Sequence, residues 1–164
     1  MKSERKQLIH HLLDSIIMRD MTRARALLEQ GADVNAKDNE HGETPLIVAV
    51  KSSGVNMVRL LLEAGAKVDA RDDWGRTALF YAPVSSEMFA VLLRVGANVH
   101  ARDEEANTLL MRKVSESASL AEIEELLRLG VDPSLQNDDG ETALDLAESL
   151  GLTQVAERLR SRML

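Results

Sequence analysis

The chain has 164 residues, 45% hydrophobic, 29% charged and only 2% aromatic, which predicts one folded domain with a core of Leu, Val, Ile, Met and Ala in thin stacked layers. A formal net charge of −7 argues against a nucleic-acid partner, because a phosphate backbone is repelled unless a basic patch is segregated, and it suits a partner protein with a basic surface. The absence of cysteine excludes disulfides, thiol nucleophiles and cysteine-based zinc sites but does not indicate a redox compartment; the cytoplasm is the default expectation, and a processed secreted form would look the same.

The N-terminus opens with Lys2, Arg5 and Lys6 and continues through Leu8, Ile9, Leu12, Leu13, Ile16 and Ile17 at helical spacing. Asp14, Arg19 and Asp20 interrupt the apolar run and no small-residue cleavage site follows, so the segment reads as a helix and not as a signal peptide. With a second helix reaching residue 30, it is expected to cap one end of the core. Later apolar runs are cut by charge, as at Leu60-Leu61-Leu62-Glu63, so no membrane-spanning segment and no membrane partner is expected.

From residue 31 the chain repeats itself. Gly31-Ala32-Asp33-Val34, Gly65-Ala66-Lys67-Val68, Gly96-Ala97-Asn98-Val99 and Gly130-Val131-Asp132-Pro133 have glycines 34, 31 and 34 residues apart. Interleaved with them are Thr44-Pro45-Leu46, Thr77-Ala78-Leu79, Thr108-Leu109-Leu110 and Thr142-Ala143-Leu144, spaced 33, 31 and 34. Each threonine predicts a helix N-cap, and Pro45 stands where a first helical residue needs no N–H donor. A turn with Gly54 or Gly151 leads to a second apolar run such as Met57-Val58-Arg59-Leu60-Leu61-Leu62. The glycine of Gly-Ala-x-Val then predicts a left-handed helix end, and Val68 or Val99 is expected to start an extended segment. Asp72-Asp73-Trp74-Gly75 and Asn137-Asp138-Asp139-Gly140 are turn sequences leading to the next threonine, so the unit is helix, turn, helix, hairpin.

These motifs resemble the ankyrin-repeat family, whose Gly-Ala-Asp-Val-Asn-Ala ending is matched by Gly31-Ala32-Asp33-Val34-Asn35-Ala36. The resemblance implies an all-α repeat solenoid of about five ankyrin repeats with atypical ends. Its expected limits are 1–36 for the N-terminal cap, 37–70, 71–101 and 102–135 for three inner repeats, and 136–164 for the C-terminal cap. The family histidine after Thr-Pro-Leu is replaced by Ile47, Phe80, Met111 and Asp145, exchanging a hydrogen-bond network mostly for apolar contacts. Pro83 is expected to truncate the first helix of its repeat. Ala106 in place of the turn glycine and Lys113 in place of a small residue predict distortion of the fourth repeat. At the far end Val155, Ala156 and Leu159 alternate with Gln154, Glu157, Arg158 and Arg160, leaving an outer surface that can stay wet.

Little in the sequence points to chemistry. His10, His11, His41 and His100 form no His-Glu-x-x-His pair, so no metal site is expected. Asp38-Asn39-Glu40-His41-Gly42 and Asn137-Asp138-Asp139-Gly140 lack the alternating ligands of a calcium loop, and no phosphate-cradling loop or nucleophile elbow occurs. Arg158, Arg160 and Arg162 form the best basic cluster and read as helix C-terminal charges worth about 0.3–1 kcal/mol each. No catalytic residue and no cofactor is therefore assigned.

The resemblance implies binding along hairpin tips and first helices on a concave side, with second helices behind. The tips are Lys37 to His41, Arg71 to Trp74, Arg102 to Glu105 and Gln136 to Asp139. Candidate partner-binding residues are His41, Glu43, Asp73, Trp74, Arg76, Glu105, Asn107, Asp139 and Glu141. Trp74 is the sharpest, a lone indole whose equivalents are His41, Glu105 and Asp139, so the repeat does not require it. Phe80 and Tyr81 read as packing residues. The expected function is a monomeric, non-catalytic protein-interaction module, in its specific form an inhibitor or immunity-type protein for a basic partner. A scaffold joining two proteins is the alternative, ahead of an enzyme or ligand sensor.

Overall fold

The computed structural model of the protein describes residues 2–38 and 40–163, with side chains from residue 7 onward. Asn39 in the first tip and the Lys2, Arg5 and Lys6 side chains lie outside the described residues. Among the described residues ten helices fall into five pairs: α1 (Lys2–Ile17) and α2 (Met21–Glu29), α3 (Pro45–Ser52) and α4 (Val55–Glu63), α5 (Ala78–Tyr81) and α6 (Glu87–Arg94), α7 (Leu109–Ser115) and α8 (Leu120–Arg128), α9 (Ala143–Ser149) and α10 (Thr153–Arg160). The pairs form two compact units, α1 to α6 up to Ala97 and α7 to α10 from Asn98.

In the first unit α1 packs on α2 and α3, α3 on α4 and α5, and α6 on α4 and α5. Leu12, Ile16, Leu46, Ile47, Leu61, Leu79, Phe80 and Leu92 are fully enclosed there. In the second unit α7 packs on α8 and α9, and α10 on α8 and α9, around Leu110, Met111, Val114, Ile123, Leu126, Ala147 and Leu159. The positions Ile47, Phe80 and Met111, where the family has histidine, are buried and apolar. Asp145 instead accepts from the N–H of Thr142 at 2.8 Å, closing a capping box.

Helix ends follow the repeat. Gly65, at φ 91°, donates to the Leu62 carbonyl at 3.0 Å, and the next N–H, of Ala66, reaches back to Leu61 at 2.9 Å. The paired bonds satisfy carbonyls that a helix otherwise leaves orphaned, and they recur after α2, α6 and α8. Thr44, Thr108 and Thr142 cap α3, α7 and α9, accepting from the N–H groups of Ile47, Met111 and Asp145 at 3.4, 3.2 and 3.2 Å.

Several expectations need correction. Thr77 makes no side-chain cap; its hydroxyl oxygen is enclosed without a hydrogen-bond partner, while the Phe80 N–H turns to the Thr77 carbonyl at 3.1 Å. The reason is the tight first turn of α5, which ends after four residues ahead of Pro83. Ile17 is 53% exposed and so leaves the core stripe of α1, where Ser15 is buried with its hydroxyl donating to Leu12 O at 2.7 Å. Val68 and Val99 enter turns closed by Ala70 N–H to Lys67 O and Ala101 N–H to Asn98 O. Among the described residues no strand forms, and the only β-type pairing is one isolated bridge between Arg102 and Thr108.

The fourth repeat is also regular where distortion was expected. Ala106 adopts φ 60°, the left-handed conformation its glycine counterparts use, at a cost of about 1 kcal/mol. Lys113 is 6% exposed, yet its ammonium pairs with Glu116 at 2.9 Å, so α7 accommodates the charge without unwinding.

The contrast between two threonines is measurable by urea denaturation. Thr108→Val is expected to lose about 1 kcal/mol with the cap bond, whereas Thr77→Val should be neutral or stabilising because it removes an unpaired buried hydroxyl. Equal losses at both positions would contradict the orphaned state of Thr77.

Candidate binding site

Each tip is built on one side chain. Asp38 Oδ1 accepts the N–H groups of Glu40, His41 and Glu43 at 3.2, 2.8 and 3.2 Å. Asp72 Oδ1 takes those of Trp74 and Arg76 at 2.9 Å each, and Asp103 Oδ1 takes those of Glu105 and Asn107 at 3.1 and 2.9 Å. Asn137 Oδ1 serves Asp139 and Glu141 at 3.1 and 2.9 Å. A short polar arm thus replaces the strand partner that these turns lack. Burial by itself would raise the Asp38 carboxyl, but its backbone donors outweigh it and hold the group below the usual aspartate range.

Neighbouring tips are then joined through backbone. In the first unit Asp73 N–H donates to His41 O at 3.0 Å, and in the second Asp138 N–H donates to Glu105 O at 3.0 Å. The first junction is tight: at Gly42, φ 65°, an added Cβ would lie 2.0 Å from the Asp73 carboxylate. Arg71 and Arg102 brace their own tips by donating to Gly75 O and Ala106 O at 2.7 Å each.

The candidate residues fall into two groups of different character. In the first unit Trp74 is 41% exposed, its ring tilted against His41 with centroids 5.1 Å apart, and the Arg76 guanidinium lies 5.8 Å from the ring centre. Asp73 is exposed beside it and faces Lys37 at 3.9 Å. Glu43 differs from the rest: it is 7% exposed and holds Lys51 in an ion pair, so it supports the site from beneath and offers little surface of its own. In the second unit Glu105 and Asp139 are exposed, while Asn107 is engaged with Glu105 at 3.1 Å and Asn137 at 3.1 Å, and Glu141 is half-buried.

Two participants emerge that the sequence did not single out for this role. Lys51 reaches from Glu43 across the Tyr81 ring, 5.2 Å from its centre, and the Tyr81 hydroxyl donates to Asp72 Oδ2 at 2.5 Å. Tyr81 is thus a polar link between α5 and the tip as well as a packing residue. Burial, followed by the bond to and the charge of Asp72, pushes its phenol up to about 12. The other is a groove of about 550 Å³ between α1 and the first tip, with His41 on its wall and Leu13, Ile17 and Val48 as apolar lining. The tip aspartates had a readable signal, since Asp38, Asp72, Asp103 and Asn137 each stand seven residues after a helix-ending glycine. The groove had none, because it needs α1 and the tip brought together.

Among the described residues no set of three His, Asp or Glu is placed to hold a metal ion, and no helix is long and apolar enough to cross a membrane. Helix pairs joined by tips each held on one aspartate or asparagine define a helical repeat protein. A sequence profile of ankyrin repeats in three copies matches residues 16–103, more than half of the chain, and the protein belongs to the ankyrin-repeat family. The chain is 38% identical over 136 residues to the B-cell lymphoma 3 protein homolog of Mus musculus, covering 83% of this chain and 23% of that protein. It is 43% identical over 74 residues to the ankyrin repeat and LEM domain-containing protein 1 homolog of Caenorhabditis elegans, covering 45% and 10% respectively. The chain thus spans less than a quarter of the length of these curated relatives.

The tyrosine link can be read directly, because the chain has one tyrosine. Asp72→Asn should move the phenolate midpoint from about 12 toward 10, followed by absorbance in rapid pH jumps. The folded pKa lies above the unfolded one, so the stabilisation from neutral Tyr81 is complete below about pH 10 and lost as pH rises toward 12. An unchanged midpoint would assign the shift to burial alone.

Proposed function

We propose that the chain is a non-catalytic protein-interaction module whose contact is anchored on Trp74, with His41, Asp73 and Arg76 around it and Glu105, Asn107, Asp139 and Glu141 as further tip contacts. The observation that carries this reading is an indole 41% exposed at a tip whose counterparts in the other repeats are histidine and carboxylates. A large rigid aromatic beside a guanidinium gains much from desolvation by a partner and loses little side-chain entropy. Ankyrin repeats generally act as protein-protein interaction modules, which supports the class of function and leaves the partner open.

The more specific form is an inhibitor or immunity-type protein, monomeric and cytoplasmic, that covers a basic surface on its partner. The net charge of −7 supports it, since opposite charge accelerates encounter and disfavours acidic competitors. A second reading, an adaptor joining two proteins, is favoured by the difference between the units. The first presents an aromatic and cationic group, Trp74, His41 and Arg76, and the second presents Glu105 and Asp139.

The Trp74→Ala, Arg76→Ala double variant tests the anchor with a partner captured on the wild-type chain. Affinity by calorimetry should fall about thirtyfold, equivalent to about 2 kcal/mol, while the melting temperature changes little. A lowered melting temperature with unchanged affinity would reduce Trp74 to a packing residue of the tips.

A further inference from the structure

The groove between α1 and the first tip adjoins the Trp74 patch through His41, which lines the groove and whose ring lies tilted against the indole. Its lining divides by chemistry. Leu13 and Ile17 from α1 and Val48 from α3 are apolar, and Ile17 stays 53% exposed although the helix pattern places it among core positions. Among the described lining residues Asp14, Asp38, Glu40 and Glu43 supply four carboxylates, against the ammonium of Lys51 and the imidazoles of His10 and His41. Lys51 is already paired with Glu43, so it does not offset the other three.

Those three are not equally available. Asp38 Oδ1 is occupied by backbone N–H groups, which also keep the carboxyl ionised. Asp14 and Glu40 are exposed on opposite sides of the groove, one on α1 and one on the tip, and neither forms an ion pair with a described residue. Carboxylates on the two walls of an apolar-lined cleft act together on a cation that enters between them. An apolar lining beneath a charged rim matches a long aliphatic stem ending in a charge.

We propose that this groove is the pocket for one long basic side chain, lysine or arginine, presented by the partner protein. The stem lies on Leu13, Ile17 and Val48, and the cationic head meets Asp14 and Glu40 with Asp38 behind them. A volume of about 550 Å³ is within the ordinary range for a small ligand and ample for one side chain. The shared His41 places a residue next to the basic one within reach of Trp74, so the partner motif pairs a basic with an apolar or aromatic residue. The inference rests on the protein-interaction reading but names the chemistry at a different set of side chains.

The test needs no partner. Capped Gly-Arg-Gly and Gly-Lys-Gly peptides are titrated into the ¹⁵N-labelled chain, with the citrulline and norleucine analogues as uncharged controls of matching length. Saturable shifts are expected in residues 10–17, 40–43 and 48–51, with at least tenfold weaker binding of the uncharged peptides. Asp14→Asn with Glu40→Gln should weaken the charged peptides at least tenfold, and both side chains are exposed, so folding is unaffected. Glu29→Gln with Glu63→Gln removes the same charge from α2 and α4 and should leave binding unchanged. Equal binding of citrulline peptide, shifts spread over the whole surface, equal weakening by both double variants, or no saturable shift overturns the pocket. Because Trp74 and Arg76 are intact throughout, such a failure leaves the anchor at Trp74 standing, and loss of the anchor leaves the pocket result standing.

Discussion

One side-chain oxygen at the start of each tip, accepting two or three backbone N–H groups, is the constraint on which the rest of the surface depends. Each tip is closed by one backbone bond, such as Asp72 N–H to Arg76 O at 3.0 Å, and the side-chain oxygen takes up N–H groups of the turn that would otherwise leave its conformation loose. Fixing them aims the carbonyls of His41 and Glu105 at the N–H of Asp73 and Asp138 in the following tips. The same anchoring sets the direction of Trp74 and, through Asp72 Oδ2, reaches Tyr81 on α5. A backbone requirement therefore places the side chains that form the candidate site.

Beneath the tips the helices are held by apolar contact. Ile47, Phe80 and Met111 occupy the third helical position of α3, α5 and α7 and are buried, so cohesion there comes from packing, while tip-to-tip hydrogen bonds carry the polar links. Repeat arrays gain stability from neighbour contacts more than from any single unit, which is why a four-residue α5 with an orphaned Thr77 hydroxyl is tolerated. Phe80, Leu79 and Phe89 bury enough apolar surface around it to offset a cost of about 1–3 kcal/mol.

The fold was readable because its signals repeat: two interleaved motifs gave the helix pairs, the glycine helix ends and the effect of Pro83. What failed to read were features decided by local alternatives. Thr77 looks like Thr44 and Thr108, but its cap depends on a helix long enough to present the N–H correctly. Ala106 and Lys113 looked disruptive, yet a single left-handed residue and one ion pair with Glu116 absorb them. At the candidate site Trp74 stood out by being unrepeated, whereas the low exposure of Glu43 and its ion pair with Lys51, eight residues on, have no signal in its place before Thr44. The groove at α1 was invisible, since Asp14 and Glu40 are neighbours only through the fold.

The constant seven-residue step from helix-ending glycine to tip aspartate or asparagine has a further consequence. The spacing works as a ruler that indexes every tip from the helix before it, whatever comes after. Beyond that anchor the chain varies freely: the first tip takes an extra residue between Asp38 and Glu43 relative to Asp72 and Arg76, and α3, α5 and α7 differ in length. The extra residue of the first tip thereby falls outside the helices and leaves their core register alone, while the short α5 keeps Phe80 at the same third helical position as Ile47 and Met111. Such a chain can trade its recognition surface piecemeal while the packed interior stays as it was.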